Sequence, residues 1–412
     1  MLVWWHSAPR EARRALVAAS LGWMLDAFDV MLYALVLASL MGELGMSKVT
    51  AGLLGSLTLV ASALGGILFG VMADRHGRTR ALMASILIYS VFTFACGLAQ
   101  NVVQLAVFRV LLGLGMGGEW ASGAALVSET WPAEHRGKAL GLMQSSWAVG
   151  YGCAAVVNML VLPVWGWRAV FFVGVLPALL TLWIRRSVRE PDIWVRSRRR
   201  GRGAAGEQAR HAFAQIFSRD FLPTTVAITL MNGCTMFAWW GFNLWIPAYL
   251  SLPVDKGGIG LAAVAMSGLI VAMQVGMWFG YVTFGFVSDA IGRRRTYVIY
   301  LVTAAVLVLA YSASRNPWVL LALGPFVAFF GTGYFTGFGA VTAEIYPTAI
   351  RATAQGFTYN IGRIGSAVAP FVVGSLADTR GFAVALSTAA AAFLLAAVMW
   401  AWIPETKGRT LA

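Results

Sequence analysis

Asp26, Asp29 and Tyr33 stand at i, i+3 and i+7 of an otherwise apolar stretch, a spacing that sets all three on one face of a helix. A carboxyl in a partly dry site holds its proton more tightly than one in water, and so exchanges it near neutral pH. Two neighbouring carboxyls strengthen the effect, because both cannot easily ionise together. That is the chemistry of proton coupling. The alternative is structural: the aspartates neutralise a nearby arginine or cap a broken helix.

Arg109, Glu119 and Arg363 are further ionisable residues inside apolar stretches. At membrane depth such a group costs at least roughly 2.5–3.5 kcal/mol, so it must face water or another polar group. Arg109 keeps its proton. It either pairs with an aspartate of the first stretch or attracts an anion, and both readings stand. Glu119 is a second proton-site candidate, or else a structural hydrogen-bond partner. Arg363 lies in Tyr359-Asn360-Ile361-Gly362-Arg363, with no acid at similar depth in its own helix or the next. A guanidinium in a cavity is a ready bidentate site for a carboxylate. Tyr359 and Asn360 lie beside it; its alternative is a pair with Asp26 or Asp29.

Buried amides point at partners or cavities. Asn232 and Asn243 share a face with Met236 and Trp239, and Gln144 shares one with Trp147, Tyr151 and Asn158. Asn232, Asn243, Gln144 and Tyr33 therefore join Arg363, Asn360 and Tyr359 as candidate substrate contacts. The run Gly113, Gly115, Gly117 and Gly118 lacks the preceding strand and the following Lys-Ser/Thr of a nucleotide loop, and reads as close helix packing. Neither a metal nor a cofactor is expected.

These residues need a membrane to position them. Of the 412 residues, 59% are hydrophobic and 12% charged, where a soluble protein has about 25% charged. With about 20 apolar residues per crossing, the chain holds twelve spans: 15–42, 50–73, 80–100, 103–128, 138–162, 167–185, 222–250, 262–287, 296–314, 318–343, 352–377 and 381–403. Lipid offers the backbone no partner, so the fold is an all-α membrane protein. The first stretch follows Arg10, Arg13 and Arg14 as a signal peptide would, but is too long for one and reads as a retained helix. Cys96, Cys153 and Cys234 all fall in apolar spans and suggest no disulfide framework.

The net charge of +14 is not a nucleic-acid signature. Of the 31 Lys and Arg, 24 fall on the N-terminus, alternate loops and the C-terminus, against Lys48, Arg168, Lys256, Arg315 and Arg380 on the other side. Both termini are therefore expected to be cytoplasmic. The chain also repeats. Asp74-Arg75-His76-Gly77-Arg78 returns as Asp289-Ala290-Ile291-Gly292-Arg293, and Glu129-Thr130-Trp131-Pro132…Arg136 returns at the same offset as Glu344-Ile345-Tyr346-Pro347…Arg351. Two pseudo-symmetric six-helix bundles follow, 1–185 and 220–412, joined by an Arg-rich cytoplasmic linker at 186–219, with a substrate site near the midplane where they meet. Asp74 and Asp289 can accept hydrogen bonds from arginines or helix N-termini. Glu129 and Glu344 can form an ionic latch with Arg136 and Arg351. The alternative is that these charges only set topology.

D-x-x-G-R after spans 2 and 8, with E-x-x-P-x-x-x-R after spans 4 and 10, resembles the major facilitator superfamily. Pro404-Glu405-Thr406-Lys407-Gly408 resembles its sugar-porter and organic-acid-porter branches. Asp26-Ala27-Phe28-Asp29 resembles the D-[GA]-[FY]-D of organic-acid/proton symporters, among them aromatic-acid, sialate and lactate-type metabolite porters. Gly117-Gly118-Glu119-Trp120 and Glu129-Thr130-Trp131-Pro132 look more like the sialate and monocarboxylate branch.

The resemblance implies a monomeric secondary transporter of the plasma (inner) membrane, moving a small organic anion with protons. It implies proton coupling by Asp26 and Asp29, with Arg109 beside them, and anion handling by Arg109 and Arg363. It implies gating by Asp74, Arg78, Glu129, Arg136, Asp289, Arg293, Glu344 and Arg351. The length leaves no room for the long insertions of some sialate porters, which favours a smaller carboxylate. A neutral-sugar porter, an aromatic-acid symporter and a drug-efflux antiporter are the alternatives. An enzyme is not expected, because no catalytic constellation lies outside the spans.

Overall fold

The computed structural model describes Trp5 and residues 8–190 and 214–407, without the side chains of positions 74, 121, 133, 134, 136, 137, 348, 349, 352 and 353. Asp74 and Arg136, as side chains, and most of the expected linker therefore lie outside the described residues. Helices make up all the regular structure described: α1 (Arg10–Leu44), α2 (Lys48–His76), α3 (Arg78–Gly97), α4 (Val102–Thr130), α5 (Ala133–Val173), α6 (Ala178–Ser187), α7 (Leu222–Ser251), α8 (Ala263–Ile291), α9 (Arg293–Ala313), α10 (Pro317–Thr332), α11 (Phe338–Ile345), α12 (Thr348–Thr379) and α13 (Phe382–Met399), with 3-10 turns at Val254–Lys256 and Gly333–Gly337. Among the described residues, nine helical segments are long and apolar enough to cross a bilayer.

Two expected spans are interrupted. Gly166 (φ 72°, ψ 178°) turns the chain inside α5, so spans 5 and 6 meet at one glycine. The stretch expected at 167–185 then breaks at residues 174–177, between Val173 and Ala178. The span expected at 318–343 is split by the Gly333–Gly337 turn. Glycines cause this break, because α8 and α9 press on it. A Cβ on Gly333 would lie 2.6 Å from the Tyr300 ring, and one on Gly337 2.5 Å from the Tyr297 hydroxyl. Tyr297 donates to the Tyr334 carbonyl at 2.9 Å, satisfying backbone within the turn.

The chain divides into two compact units, Met1–Gly201 with Ile246–Gln274 and Arg202–Trp245 with Val275–Ala412. In the first, α4 lies in backbone contact with α2: a Cβ on Gly117 would come within 1.9 Å of the Ser62 carbonyl oxygen, and one on Gly113 within 2.3 Å of that of Thr58. The glycine run is thus a packing surface. The same device recurs in the second repeat, at the offset of the loop motifs. Gly65 meets the Leu114 carbonyl at 2.0 Å from its would-be Cβ, and Gly280 meets that of Phe329 at 2.5 Å.

One end of each repeat is tied by the same three contacts. Arg78 donates to Glu129 at 2.8 and 3.1 Å; Arg293 donates to Glu344 at 2.9 and 3.2 Å. Glu190 caps the start of α3 by accepting the N–H groups of Thr79 and Arg80, both at 3.2 Å. Glu405 caps α9 likewise, accepting those of Arg293 and Arg294 at 2.9 and 3.1 Å. Trp131 donates to the Ala12 carbonyl of α1 at 2.7 Å, and its counterpart Tyr346 bonds Thr225 of α7 at 2.6 Å. Glycine is required before α3 and α9, since Gly77 and Gly292 have φ of 119° and 101°. A side chain at either would also strike the capping glutamate, at 2.3 and 2.8 Å.

Candidate substrate and proton site

The first unit buries a ladder of ionisable groups along α1. Arg109 of α4 lies at one end, its guanidinium carbon 3.7 Å from the centre of the Tyr33 ring. Glu119, ten residues along the same helix and so about 15 Å away, lies at the other. Its Oε1 presses on the backbone of Gly22, where a Cβ would be only 2.5 Å away. Asp29 and Asp26 fall between these rungs. Asp26, Asp29, Arg109, Glu119 and Tyr33 are each no more than 1% exposed.

Helix α3 supplies two polar contacts to the ladder. Thr93 donates to Asp29 at 3.0 Å, and the Tyr89 hydroxyl donates to the Gly22 carbonyl at 3.4 Å. Among the described residues Arg109 forms no ion pair, and its three guanidinium nitrogens have no hydrogen-bond acceptor. Both Glu119 oxygens and Oδ1 of Asp29 likewise lack donors there. Of the two readings the sequence left open for Arg109, the pair with a span-1 aspartate is not the one formed. Its charge rests on an aromatic face instead. Sequence spacing could not show this, because it does not contain the rotation of α4, whose glycines pack on α2.

The remaining candidates are distributed more widely. The Tyr33 hydroxyl donates to the Ala51 carbonyl at 2.9 Å, so its polar end is engaged by α2. Gln144 accepts from the Trp120 indole at 3.4 Å, beside the Trp23–Trp147 ring contact. Asn158 donates to Ser267 at 3.0 Å. In the second unit Asn232 is buried and donates to the Thr358 carbonyl at 3.2 Å; Asn243 is buried too. Arg363 and Tyr359 are half-buried on α12. Asn360 is exposed and donates to the Gly356 carbonyl one turn back, at 2.8 Å.

Residues 19–274 and 251–411 both match the Major Facilitator Superfamily. The chain belongs to that superfamily. It is 33% identical to the cis,cis-muconate transport protein of Acinetobacter baylyi, over 93% of this chain and 92% of that protein. It is 32% identical to a sialic acid transporter of Escherichia coli, over 95% and 93% of the two chains. In fold it matches a solved D-xylose-proton symporter with a TM-score of 0.76 at 21% identity, covering 97% of this chain and 99% of the other. This facilitator is therefore a multi-pass integral membrane transporter, not an enzyme.

Within the facilitator, one latch partner differs from that expected. Glu344 pairs with Arg293, not Arg351, and Thr406 also donates to it at 2.5 Å. Arg351 donates to the Tyr346 carbonyl at 3.2 Å. The proline explains the difference: Pro347 ends one helix and starts the next, carrying Arg351 onto α12 and away from the glutamate. Arg293 also engages Asp289, its i−4 neighbour, and Ser288. Glu190 was missed from sequence, although it precedes Glu405 by the same offset that relates the two sets of loop motifs. At the opposite end of the first unit Glu43 accepts from the Trp167 indole at 2.6 Å and pairs with Arg168.

Proposed function

We propose that this transporter carries a small organic acid of the monocarboxylate type together with protons, by alternating access. Twelve membrane-spanning helices in two six-helix halves, 1–185 and 220–412, would do this with both termini cytoplasmic. Dividing the segment Lys138–Ser187 at Gly166, and adding α7 and α12, brings the nine apolar segments to twelve. Those two helices are the more polar ones, holding Asn232, Asn243, Asn360 and Arg363.

The buried ladder of Asp29, Asp26 and Glu119 with Arg109 at its end is the observation that supports the reading most. Charges held this deep cost several kcal/mol each unless paired. A carboxyl in such a place is at home as a neutral acid, and gives up the proton when water or a cation reaches it. Arg109, with no acceptor among the described residues, would stabilise an anion formed at its own end of the ladder. Arg363, half-buried on α12, is the proposed contact for the substrate carboxylate. Relatives named for muconate and for sialic acid support an acid as the cargo. The sialic acid transporter aligns over 93% of its own length, so the shortness of this chain does not disfavour sialate after all. The paired Arg78–Glu129 and Arg293–Glu344 contacts are the proposed gating elements. Inner-membrane placement and a monomeric working unit complete the reading.

Uptake of labelled acids into proteoliposomes, with and without an imposed pH gradient, tests it. Accumulation driven by an inward proton gradient and lost in Arg363→Ala is the expected result. Uptake indifferent to the gradient removes proton coupling. Uptake of neutral sugars alone removes the organic acid.

A further inference from the structure

Trp5, Arg10, Arg13, Arg14, Val17 and Trp183 line a cleft of about 250 Å³ in the first unit, between the start of α1 and the end of α6. We infer that this cleft is a binding site for the headgroup phosphate of an anionic phospholipid.

Three arginines meet there, with little to neutralise them among the described residues. There Arg14 reaches only the Ser187 carbonyl, at 3.4 Å. The half-buried Arg13 has its Nε enclosed with no acceptor among the described residues. Glu11, the acid of the same turn, is drawn off by Arg189 at 3.7 Å. Burying a guanidinium nitrogen without an acceptor is unfavourable, so the cleft favours a ligand bearing anionic oxygens. Arginines hold phosphate with paired N–H donors.

The surroundings select a lipid over a soluble phosphate. Trp5 and Trp183 flank the arginines, and tryptophan favours the headgroup level of a bilayer. From the cleft, an apolar stripe runs outward along α6 and the turn before it. Val175, Leu176, Leu179 and Leu182 are exposed there, Leu179 by 62% and Leu182 by 58%. Arg185 and Arg186 close the stripe at the cleft end. A phosphodiester in the cleft would lay its acyl chains on that stripe. The opposite end of the unit, where Glu43 holds Trp167 and Arg168, has no such cluster of free cations among the described residues. The inference rests on the membrane-spanning reading but on neither the substrate nor the proton coupling.

The test is thermal unfolding of the purified full-length protein in detergent, titrated with phosphatidylglycerol, with phosphatidylcholine, and with inorganic phosphate. Phosphatidylglycerol should raise the midpoint with concentration, as a ligand of the folded state does, and the other two should not. Apparent affinity should fall about fivefold for each arginine removed in Arg13→Gln and Arg14→Gln, and stay unchanged in Arg219→Gln in the other unit. Should those variants not fold, Arg10→Gln at the exposed first residue of α1 gives the same comparison. Equal stabilisation by inorganic phosphate would overturn the lipid in favour of a soluble phosphate. Equal stabilisation by phosphatidylcholine would overturn charge recognition, and unaltered affinity in the arginine variants would overturn the site.

Discussion

The two repeats share a scaffold and differ in chemistry. Each has the arginine–glutamate pair, the glutamate cap, the docked aromatic and the glycine-to-carbonyl contact. Yet where the first repeat has Arg109 and Glu119, the second has Gly324 and Tyr334 at the matching positions. The first helices follow a slightly shorter offset: Gly150 packs on the Met24 carbonyl as Gly365 packs on that of Gly233, which aligns Met24 with Gly233. By that register Asp26 and Asp29 correspond to Thr235 and Ala238. Tyr334 even reaches the Thr235 carbonyl, at 3.4 Å, from the position that Glu119 holds in the first repeat. Conversely Arg363 has Ala148 as its counterpart. Duplication preserved what holds the helices together and let the buried charges diverge.

Substitutions at matched positions can break this contrast. Asp29→Asn should abolish uptake driven by a pH gradient, while Ala238→Asn should leave it standing; equal losses in a proteoliposome assay would end the asymmetry. Gly65→Ala and Gly280→Ala should both destabilise, by about 1–3 kcal/mol for overpacking. Gly65→Ala should be the worse, since its partner carbonyl is closer; denaturation midpoints showing no loss in either would remove the shared packing device.

Smaller effects should come from the ion pairs. Arg78→Ala and Arg293→Ala leave Glu129 and Glu344, whose side chains are 20% and 14% exposed, without their arginine. The cost should be about 1–2 kcal/mol, partly screened by solvent. The loss should be larger for Arg293→Ala, which also releases Asp289; thermal unfolding of the two variants side by side checks the order.

The smallest should be Glu405→Gln, at about 0.5–1 kcal/mol for a carboxylate at a helix start. Burial pushes the Glu405 carboxyl up, but the N–H groups of Lys407, Arg293, Arg294 and Thr406 outweigh it and hold the carboxyl below its usual range. A lowered value in the folded state means the stabilisation is present above the ordinary carboxylate range and fades as the pH falls through the lowered value. The wild-type advantage over Glu405→Gln in melting temperature should therefore shrink between about pH 7 and pH 3. An advantage constant with pH would count against the charged cap.

Much of this was legible in the sequence because the membrane simplifies it. Long apolar runs can only be helices, and two motifs recurring at one offset expose the duplication. The glycine run and the positive φ at Gly77 and Gly292 follow from residue type, and the burial of Asp26, Asp29, Arg109 and Glu119 from their place inside apolar runs. What was hidden depended on rotation and on breaks. Arg109 over Tyr33 requires the azimuth of one helix against another, which no periodicity within a helix contains. The exchange of Arg351 for Arg293 as partner of Glu344 follows from a proline boundary two residues wide. The turn at Gly333–Gly337 looks like helix by composition and is decided by aromatics of α8 and α9.

The glutamate caps have a consequence for how the chain is made. Each one comes after the last helices of its repeat and reaches back to the start of the third, across 111 residues in one repeat and 112 in the other. A growing chain therefore inserts α3 long before the residue that completes its first turn has been synthesised. The capping acid arrives only when the repeat is finished, and its docking marks that repeat as whole. A nascent chain stopped short of Glu190 would hold the helices of the first repeat with the N–H groups of Thr79 and Arg80 still without their acceptor.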